Sequence, residues 1–182
     1  MEFLPTNIKD VLIVKPKIYF DERGFFLETF QAVKIHEAGL PIQFVQDNYV
    51  YSHKGTLRGL HYQIQQAQGK LTQVVKGEIF EVAVDIRVRS STFGKWVGIN
   101  MSARKKVQLW IPPGFAHGYF VLSKQAIFLY KVTDYYAPQW ERTILWNDPD
   151  ISIEWPMSKN YPLLISSKDA RGELLKNAEL FE

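Results

Sequence analysis

Four histidines and no cysteine define the chemistry open to this chain of 182 residues. Without thiolates, disulfide scaffolds, iron–sulfur clusters, thiolate zinc sites and cysteine nucleophiles are excluded together. His36 lies in a polar stretch and His53 beside Lys54-Gly55 in a turn, so both read as solvated surface residues. His61 and His117 stand apart. In Leu57-Arg58-Gly59-Leu60-His61-Tyr62-Gln63 a period of two puts Gly59, His61 and Gln63 on one face and the apolar Leu60 and Tyr62 on the other. His61 then projects from the more polar side, the lumen if the strand belongs to a barrel; a core histidine bonded to backbone is the plain alternative. Two inward histidines and no thiolate make a three- or four-ligand transition-metal site hard to assemble, so no metal is expected. Arg58, His61, Lys70, His117, Tyr130 and the Lys168-Asp169 pair instead suit proton transfer. A histidine oriented by a carboxylate can act as general base, and a tyrosine across the substrate as acid. Removing a proton beside a carbonyl is hard for an imidazole of reference pKa ~6.5, because each unit of mismatch with the carbon acid costs ~1.36 kcal/mol. A group at the carbonyl oxygen must therefore hold the enolate, and one well-placed donor is worth about 2.7–4 kcal/mol. Lys70 and His117 are the candidates for that donor.

These side chains meet only if the elements carrying them fold onto one another. Short β-rich runs at 11–14, 24–29, 44–52, 56–62, 71–76, 78–85, 96–101, 107–111, 116–121, 127–133 and 142–146 are separated by turn signals, the pattern of a sandwich or small barrel. Helix is scarce: one candidate spans 31–38 and is closed by Gly39, and a second runs from about 169 to 179, with Ser166, Ser167 or Asp169 as N-cap. Stretches 146–149 and 155–162, with their prolines, read as loops wrapping the domain. No repeat, low-complexity tract or linker interrupts the chain, so residues 1–182 are expected to form a single domain. Residues 3–14, with apolar Ile8, Val11, Ile13 and Val14, read as an edge segment expected to pair across the boundary of a homodimer.

Composition narrows the partners. A net charge of +3, from 22 basic and 19 acidic residues, with Arg104-Lys105-Lys106 as the one basic block, falls short of a phosphate-tracking stripe, so no nucleic acid is expected. Residues 1–10 carry neither a basic leader nor an apolar run, and no stretch of about 18 apolar residues occurs, so the expectation is a soluble, cytoplasmic protein without membrane contact.

Pro112-Pro113-Gly114-Phe115-Ala116-His117, a turn feeding a strand, resembles the second sequence motif of the cupin barrels; the first, His-x-His with a nearby glutamate, fails because Gln63 follows His61. A longer series of blocks is similar to the dTDP-4-dehydrorhamnose 3,5-epimerase family. It comprises Asp21-Glu22-Arg23-Gly24-Phe25-Phe26-Leu27-Glu28-Thr29-Phe30, Phe44-Val45-Gln46-Asp47-Asn48, the Arg58-Gly59-Leu60-His61 run, Gln68-Gly69-Lys70-Leu71, residues 77–87, residues 111–118, Tyr130-Lys131 and Ile165-Ser166-Ser167-Lys168-Asp169. The resemblance covers nearly the whole chain. It implies a mainly β, cupin-type jelly-roll barrel that works as a homodimer. It also implies cofactor-free inversion of C3 and C5 of a dTDP-linked 4-keto-6-deoxyhexose, on the way to dTDP-L-rhamnose. By the same resemblance His61 is the base, Asp169 its orienting carboxylate and Tyr130 the acid, while Lys70 and His117 surround the sugar and its enolate oxygen. Arg58 matches a diphosphate contact, and Gln46, Asp47 and Asn48 match the stretch that holds the nucleotide. Tyr136 falls where the family stacks a ring on thymine, Glu141 and Lys168 are further contacts, and Arg23 and Glu28 reach the nucleotide from the partner subunit. Where many members continue Asp-Asn with His-Ser-x-Ser, this chain reads Tyr49-Val50-Tyr51-Ser52, with Val50 in place of a hydroxyl near the sugar. A single-centre epimerase, a 3,4-ketoisomerase, an idle sugar-nucleotide binder and a metal-dependent oxygenase are the competing readings.

Overall fold

The structure is a computed structural model that describes residues 1–40, 43–158 and 161–182. Among the described residues fourteen strands form: β1 Glu2–Pro5, β2 Leu12–Lys15, β3 Ile18–Asp21, β4 Gly24–Leu27, β5 Gln46–His53, β6 Thr56–Gln63, β7 Lys70–Lys76, β8 Glu78–Asp85, β9 Trp96–Ser102, β10 Gln108–Ile111, β11 Phe115–Val121, β12 Gln125–Val132, β13 Glu141–Thr143 and β14 Leu164–Ile165. Their order is β1-β2-β10-β7-β12-β5 in one six-stranded sheet and β13-β6-β11-β8-β9 in the facing sheet, with β14 added parallel to β6. Hairpin β3–β4 stands apart from both sheets. This is the expected mainly β, cupin-type architecture.

Alternation along the strands explains the layers. Ile79, Ala83, Phe115, Tyr119, Val121, Leu109, Ile111 and Phe128 point between the sheets into one buried cluster. The other face of the β6-containing sheet is equally apolar: Leu60, Tyr62, Val82, Val84 and Ala116 are covered by the C-terminal part of the chain through Ile144, Ile151 and Leu175. Strand β8 is therefore buried on both faces, where its alternation of large apolar with small or polar residues predicted one. Trp155 packs edge-on against Phe80 at 6.0 Å and donates its Nε1–H to the Trp146 carbonyl at 2.8 Å, tying the two predicted loops to the barrel; residues 159–160 of the second loop lie outside the described residues. Those centroid and hydrogen-bond distances are ordinary for interior contacts.

Helix α1 covers Ala32–Glu37, inside the predicted 31–38. Gly39, at φ +75°, closes it, with Leu40 N–H reaching back to the Ile35 carbonyl at 3.1 Å. The second predicted helix is a correction. Residues 169–179 contain two 3₁₀ turns, Asp169–Arg171 and Leu175–Asn177, and no α-helix. Between the turns Glu173 is drawn out as a parallel bridge to Ile144, its N–H on the Thr143 carbonyl and its carbonyl taking the Leu145 N–H. Strand-type pairing thus satisfies the backbone groups that a helix would have paired internally. Sequence patterning also left β1, β3 and β14 unassigned. Strands β1 and β2 pair with each other inside this chain, and β2 continues onto β10.

Candidate active site

The site begins with an irregularity. Strands β6 and β11 pair antiparallel with His61 opposite His117 and Arg58 opposite Tyr119, so Gly59 and Leu60 together face Gly118 alone. This bulge breaks the period of two. Positions 58 and 61, which regular alternation sends to opposite faces, both turn into the space between the sheets, while Leu60 and Tyr62 keep the outer, apolar face. Glycine is required here. Gly59 sits at φ +123°, and a Cβ on it would lie 2.5 Å from the Gly118 Cα; a Cβ on Gly118 would lie 2.8 Å from the Arg58 carbonyl oxygen.

Asp169 reaches His61 from the first C-terminal 3₁₀ turn. His61 Nε2 lies 2.7 Å from Asp169 Oδ1, and Asp169 Oδ2 accepts the Gly59 N–H at 3.2 Å. Ser166 Oγ accepts the Asp169 N–H at 3.1 Å. Burial pushes the Asp169 carboxyl up, but the hydrogen bond and charge of His61, the Gly59 N–H and the charge of Lys168 together hold it below the usual aspartate value. The ionised carboxylate takes the Nε2 proton and leaves Nδ1 its lone pair, the tautomer a base needs. The His61 side chain is 29% exposed and Asp169 4%, so the imidazole is reachable and its partner is not. His61, Arg58, Lys168 and Asp169 line a cleft of about 630 Å³.

A second histidine–carboxylate pair lies deeper. His117 Nε2 is 2.9 Å from Glu81 Oε1, Glu81 Oε2 accepts the Thr72 hydroxyl at 3.0 Å, and the His117 ring stacks on Phe128 at 6.0 Å. Burial pushes Glu81 up to about 8, opposed by the Thr72 hydroxyl and Lys70, and burial with the charges of Lys70 and His61 holds His117 well below its ordinary value. Both members of the pair are driven toward the uncharged form. Lys70 is also buried; desolvation brings its ammonium down to about 8, against the pull of Glu81 and Glu141. Sequence reasoning missed Glu81. An acid among the inward apolar positions Ile79 and Ala83 of β8 was the available signal.

The facing sheet supplies Tyr130, which packs toward the central cluster 5.5 Å from Phe128. Burial raises its hydroxyl's pKa, with Tyr119, Arg58, Glu141 and Tyr136 within electrostatic reach, so it is protonated and able to donate. His61 and Tyr130 therefore stand on opposite walls of the lumen. At the mouth, Tyr136 donates its hydroxyl to Glu141 at 3.2 Å, Lys168 Nζ lies 2.9 Å from the other Glu141 oxygen, and the Tyr136 N–H is held by Gln46 at 3.0 Å. Gln63, buried, fastens the same loop through the Tyr135 carbonyl and the Ala137 N–H. Gln46 Nε2 donates to Asn48 at 2.8 Å, and Val50 lies next along that face opposite Phe128.

Three predicted residues are not brought to this site within one chain. Asp47 points from the opposite face of β5 and is held by Lys131 at 3.0 Å. Arg23 closes onto Asp21 at 2.6 Å at the tip of hairpin β3–β4, and Glu28 pairs with Lys34 at 2.7 Å. His36 and His53 are exposed, as read from sequence. Among the described residues no three His, Cys, Asp or Glu side chains gather as a metal-binding group.

A cupin-type jelly-roll barrel with a histidine–carboxylate pair on one wall and a buried tyrosine on the other is an arrangement suited to proton transfer. The family model for dTDP-4-dehydrorhamnose 3,5-epimerase matches residues 5–177. The chain belongs to this family, and is thus an isomerase of the nucleotide-sugar epimerase class. It is 55% identical to the dTDP-4-dehydrorhamnose 3,5-epimerase of Shigella flexneri over 100% of this chain and 99% of that one. Identity to the Pseudomonas aeruginosa enzyme of the same name is 53%, over 96% of each chain. The dTDP-6-deoxy-D-glucose-3,5-epimerase of Legionella pneumophila, solved in complex with dTDP-4-keto-L-rhamnose, superposes with a TM-score of 0.94 at 52% identity, covering 98% of this chain and 94% of that one.

Proposed function

We propose that this chain inverts both C3 and C5 of dTDP-4-dehydro-6-deoxy-D-glucose, giving dTDP-4-dehydro-L-rhamnose for dTDP-L-rhamnose synthesis, without a cofactor. The observation that carries the reading is the opposition of His61–Asp169 and Tyr130 across the lumen. His61 Nδ1 takes the proton from the carbon next to the 4-keto group, and the electron pair moves onto the keto oxygen as an enolate. Asp169 stabilises the imidazolium that forms, while Lys70 and His117 donate to the enolate oxygen. Tyr130 then returns a proton to the opposite face of that carbon, which inverts it; solvent reprotonates the tyrosinate and takes the proton from the His61 imidazolium, which resets both groups. Repetition at the second α-carbon completes the reaction. Arg58 and Lys168 hold the diphosphate end, and Tyr136 stacks on the thymine beside Gln46 and Asn48.

The reading includes a homodimer in which Arg23 and Glu28 complete the partner's site. Hairpin β3–β4 leaves Phe20 74% and Phe26 67% exposed, more apolar surface than an isolated hairpin keeps without a partner. The outer face of the β5-containing sheet exposes Tyr49 and Tyr51 beside a hollow of about 250 Å³, and there the buried Gln108 Oε1 has no hydrogen-bond partner among the described residues. The reading places the protein in the cytoplasm; no helix among the described residues is long and apolar enough to cross a membrane.

The test is incubation of EDTA-treated protein with the substrate in heavy water. Deuterium at both C3 and C5, with reductase-dependent formation of dTDP-L-rhamnose, is expected. Label at one carbon only assigns a single-centre epimerase, and no label at either removes the epimerase reading.

A further inference from the structure

Beside the catalytic pairs the lumen holds a second buried tyrosine, which the mechanism above does not use. Tyr119 stands directly across from Arg58 in the β6–β11 ladder, where the bulge turns both inward. Its hydroxyl lies 3.1 Å from Ser52 Oγ, and the same Ser52 oxygen accepts the Arg58 Nε–H at 3.3 Å. Tyr119 is 4% exposed and Ser52 3%, while Arg58 is exposed into the cleft. Phe128 packs against the Tyr119 ring at 4.8 Å, fixing the ring and with it the position of the hydroxyl. The chain is therefore graded, from a locked phenol through a small hydroxyl to a guanidinium exposed at the cleft.

We propose that the Tyr119–Ser52 pair is a positioning device that aims Arg58 at the diphosphate of the substrate. A guanidinium binds phosphate oxygens best as a planar fork, through two parallel N–H groups. An arginine free to rotate loses rotamer entropy on binding, whereas one whose Nε is already tethered loses less. Ser52 supplies the tether, and a lone serine hydroxyl can rotate away. Tyr119 prevents this: its buried hydroxyl holds Ser52 Oγ at 3.1 Å and also lies within hydrogen-bonding reach of the Arg58 side chain. Either direction of the Tyr119–Ser52 hydrogen bond leaves Ser52 a lone pair for the Arg58 Nε–H. Tyr119 is a poor candidate for a second acid, since Ser52 engages its hydroxyl. The inference rests on the reading of Arg58 as the diphosphate contact.

The experiment compares Tyr119→Phe, Ser52→Ala and Arg58→Ala, singly and with Tyr119→Phe combined with Arg58→Ala, by steady-state kinetics and by calorimetric binding of dTDP and of thymidine. Tyr119→Phe is expected to raise KM and the dTDP dissociation constant roughly tenfold, the scale of one charge-assisted hydrogen bond. It should leave kcat within a factor of about two and thymidine binding unchanged, since an interaction with a part of the substrate that does not react lowers binding without slowing chemistry. Ser52→Ala should match it, and the loss should vanish when Arg58 is already alanine. Unchanged dTDP affinity in Arg58→Ala would overturn the diphosphate assignment and the inference with it. If Arg58→Ala weakens dTDP but Tyr119→Phe weakens it equally in both backgrounds, or lowers kcat with KM unchanged, the assignment of Arg58 stands and the positioning role is wrong.

Discussion

At the scale of single residues, the proposed mechanism gives two histidines different jobs, and their surroundings differ accordingly. His61 is partly exposed and tied to an ionised carboxylate; His117 is buried and tied to one that burial keeps close to neutral. The first arrangement favours accepting a proton, because the resulting imidazolium is matched by Asp169, and the second favours an uncharged donor that does not compete for the proton. Substitutions should expose the division. His61→Ala is expected to abolish solvent exchange at both α-carbons, with turnover falling about 10²–10⁴-fold while dTDP binding survives. Tyr130→Phe should instead keep deuterium wash-in and lose the inverted product. Mass spectrometry and NMR of the two reaction mixtures read both outcomes; inversion at normal rate by either variant removes that residue from the mechanism.

At the scale of elements, the β6 bulge decides whether a site exists. Residues 58 and 61 are three apart, an odd spacing that divides them between faces in any regular strand. Gly59 absorbs the offset because its backbone reaches φ +123° and passes within van der Waals contact of Gly118. Adding one methyl there costs both the positive φ and the close approach, together about 2–4 kcal/mol. Gly59→Ala is therefore expected to lower Tm by roughly 5–15 °C in a chain of this size, and to reduce activity well beyond that loss of folded protein. Differential scanning calorimetry and activity measured at a temperature below both melts make the comparison; a variant unchanged in both respects means the bulge is tolerant. The run Leu57-Arg58-Gly59-Leu60-His61 was legible as a strand with His61 on its polar face, but alternation alone assigned Arg58 to the wrong side. A bulge is set by pairing with β11, whose His117 lies 56 residues beyond its partner His61, so its position is not a local property.

At the scale of the whole molecule, the site inside one chain lacks Arg23 and Glu28, which lie on and just beyond the β3–β4 hairpin. If they complete the partner's cleft, two damaged chains should repair each other. Arg23→Ala and His61→Ala, each inactive alone, mixed after reversible dissociation, are expected to recover about a quarter of wild-type activity, because half the dimers are mixed and one of their two sites is intact. Activity that stays at the sum of the separate variants would show that each chain works with its own Arg23. Several features followed from the order of residues along the chain: a mainly β barrel, a first helix closed by Gly39, a polar face for His61, and two surface histidines. Each rests on periodicity, turn chemistry or residue type, which act over a few neighbours. Only the tertiary structure decided that Asp169 comes from a 3₁₀ turn held by extended pairing at Glu173, that Glu81 partners His117, that Asp47 faces away, and that Arg58 shares a wall with His61. Those outcomes depend on which strands become neighbours and on which buried polar groups must find partners across 36 to 108 residues of intervening sequence, a competition settled when the sheets close.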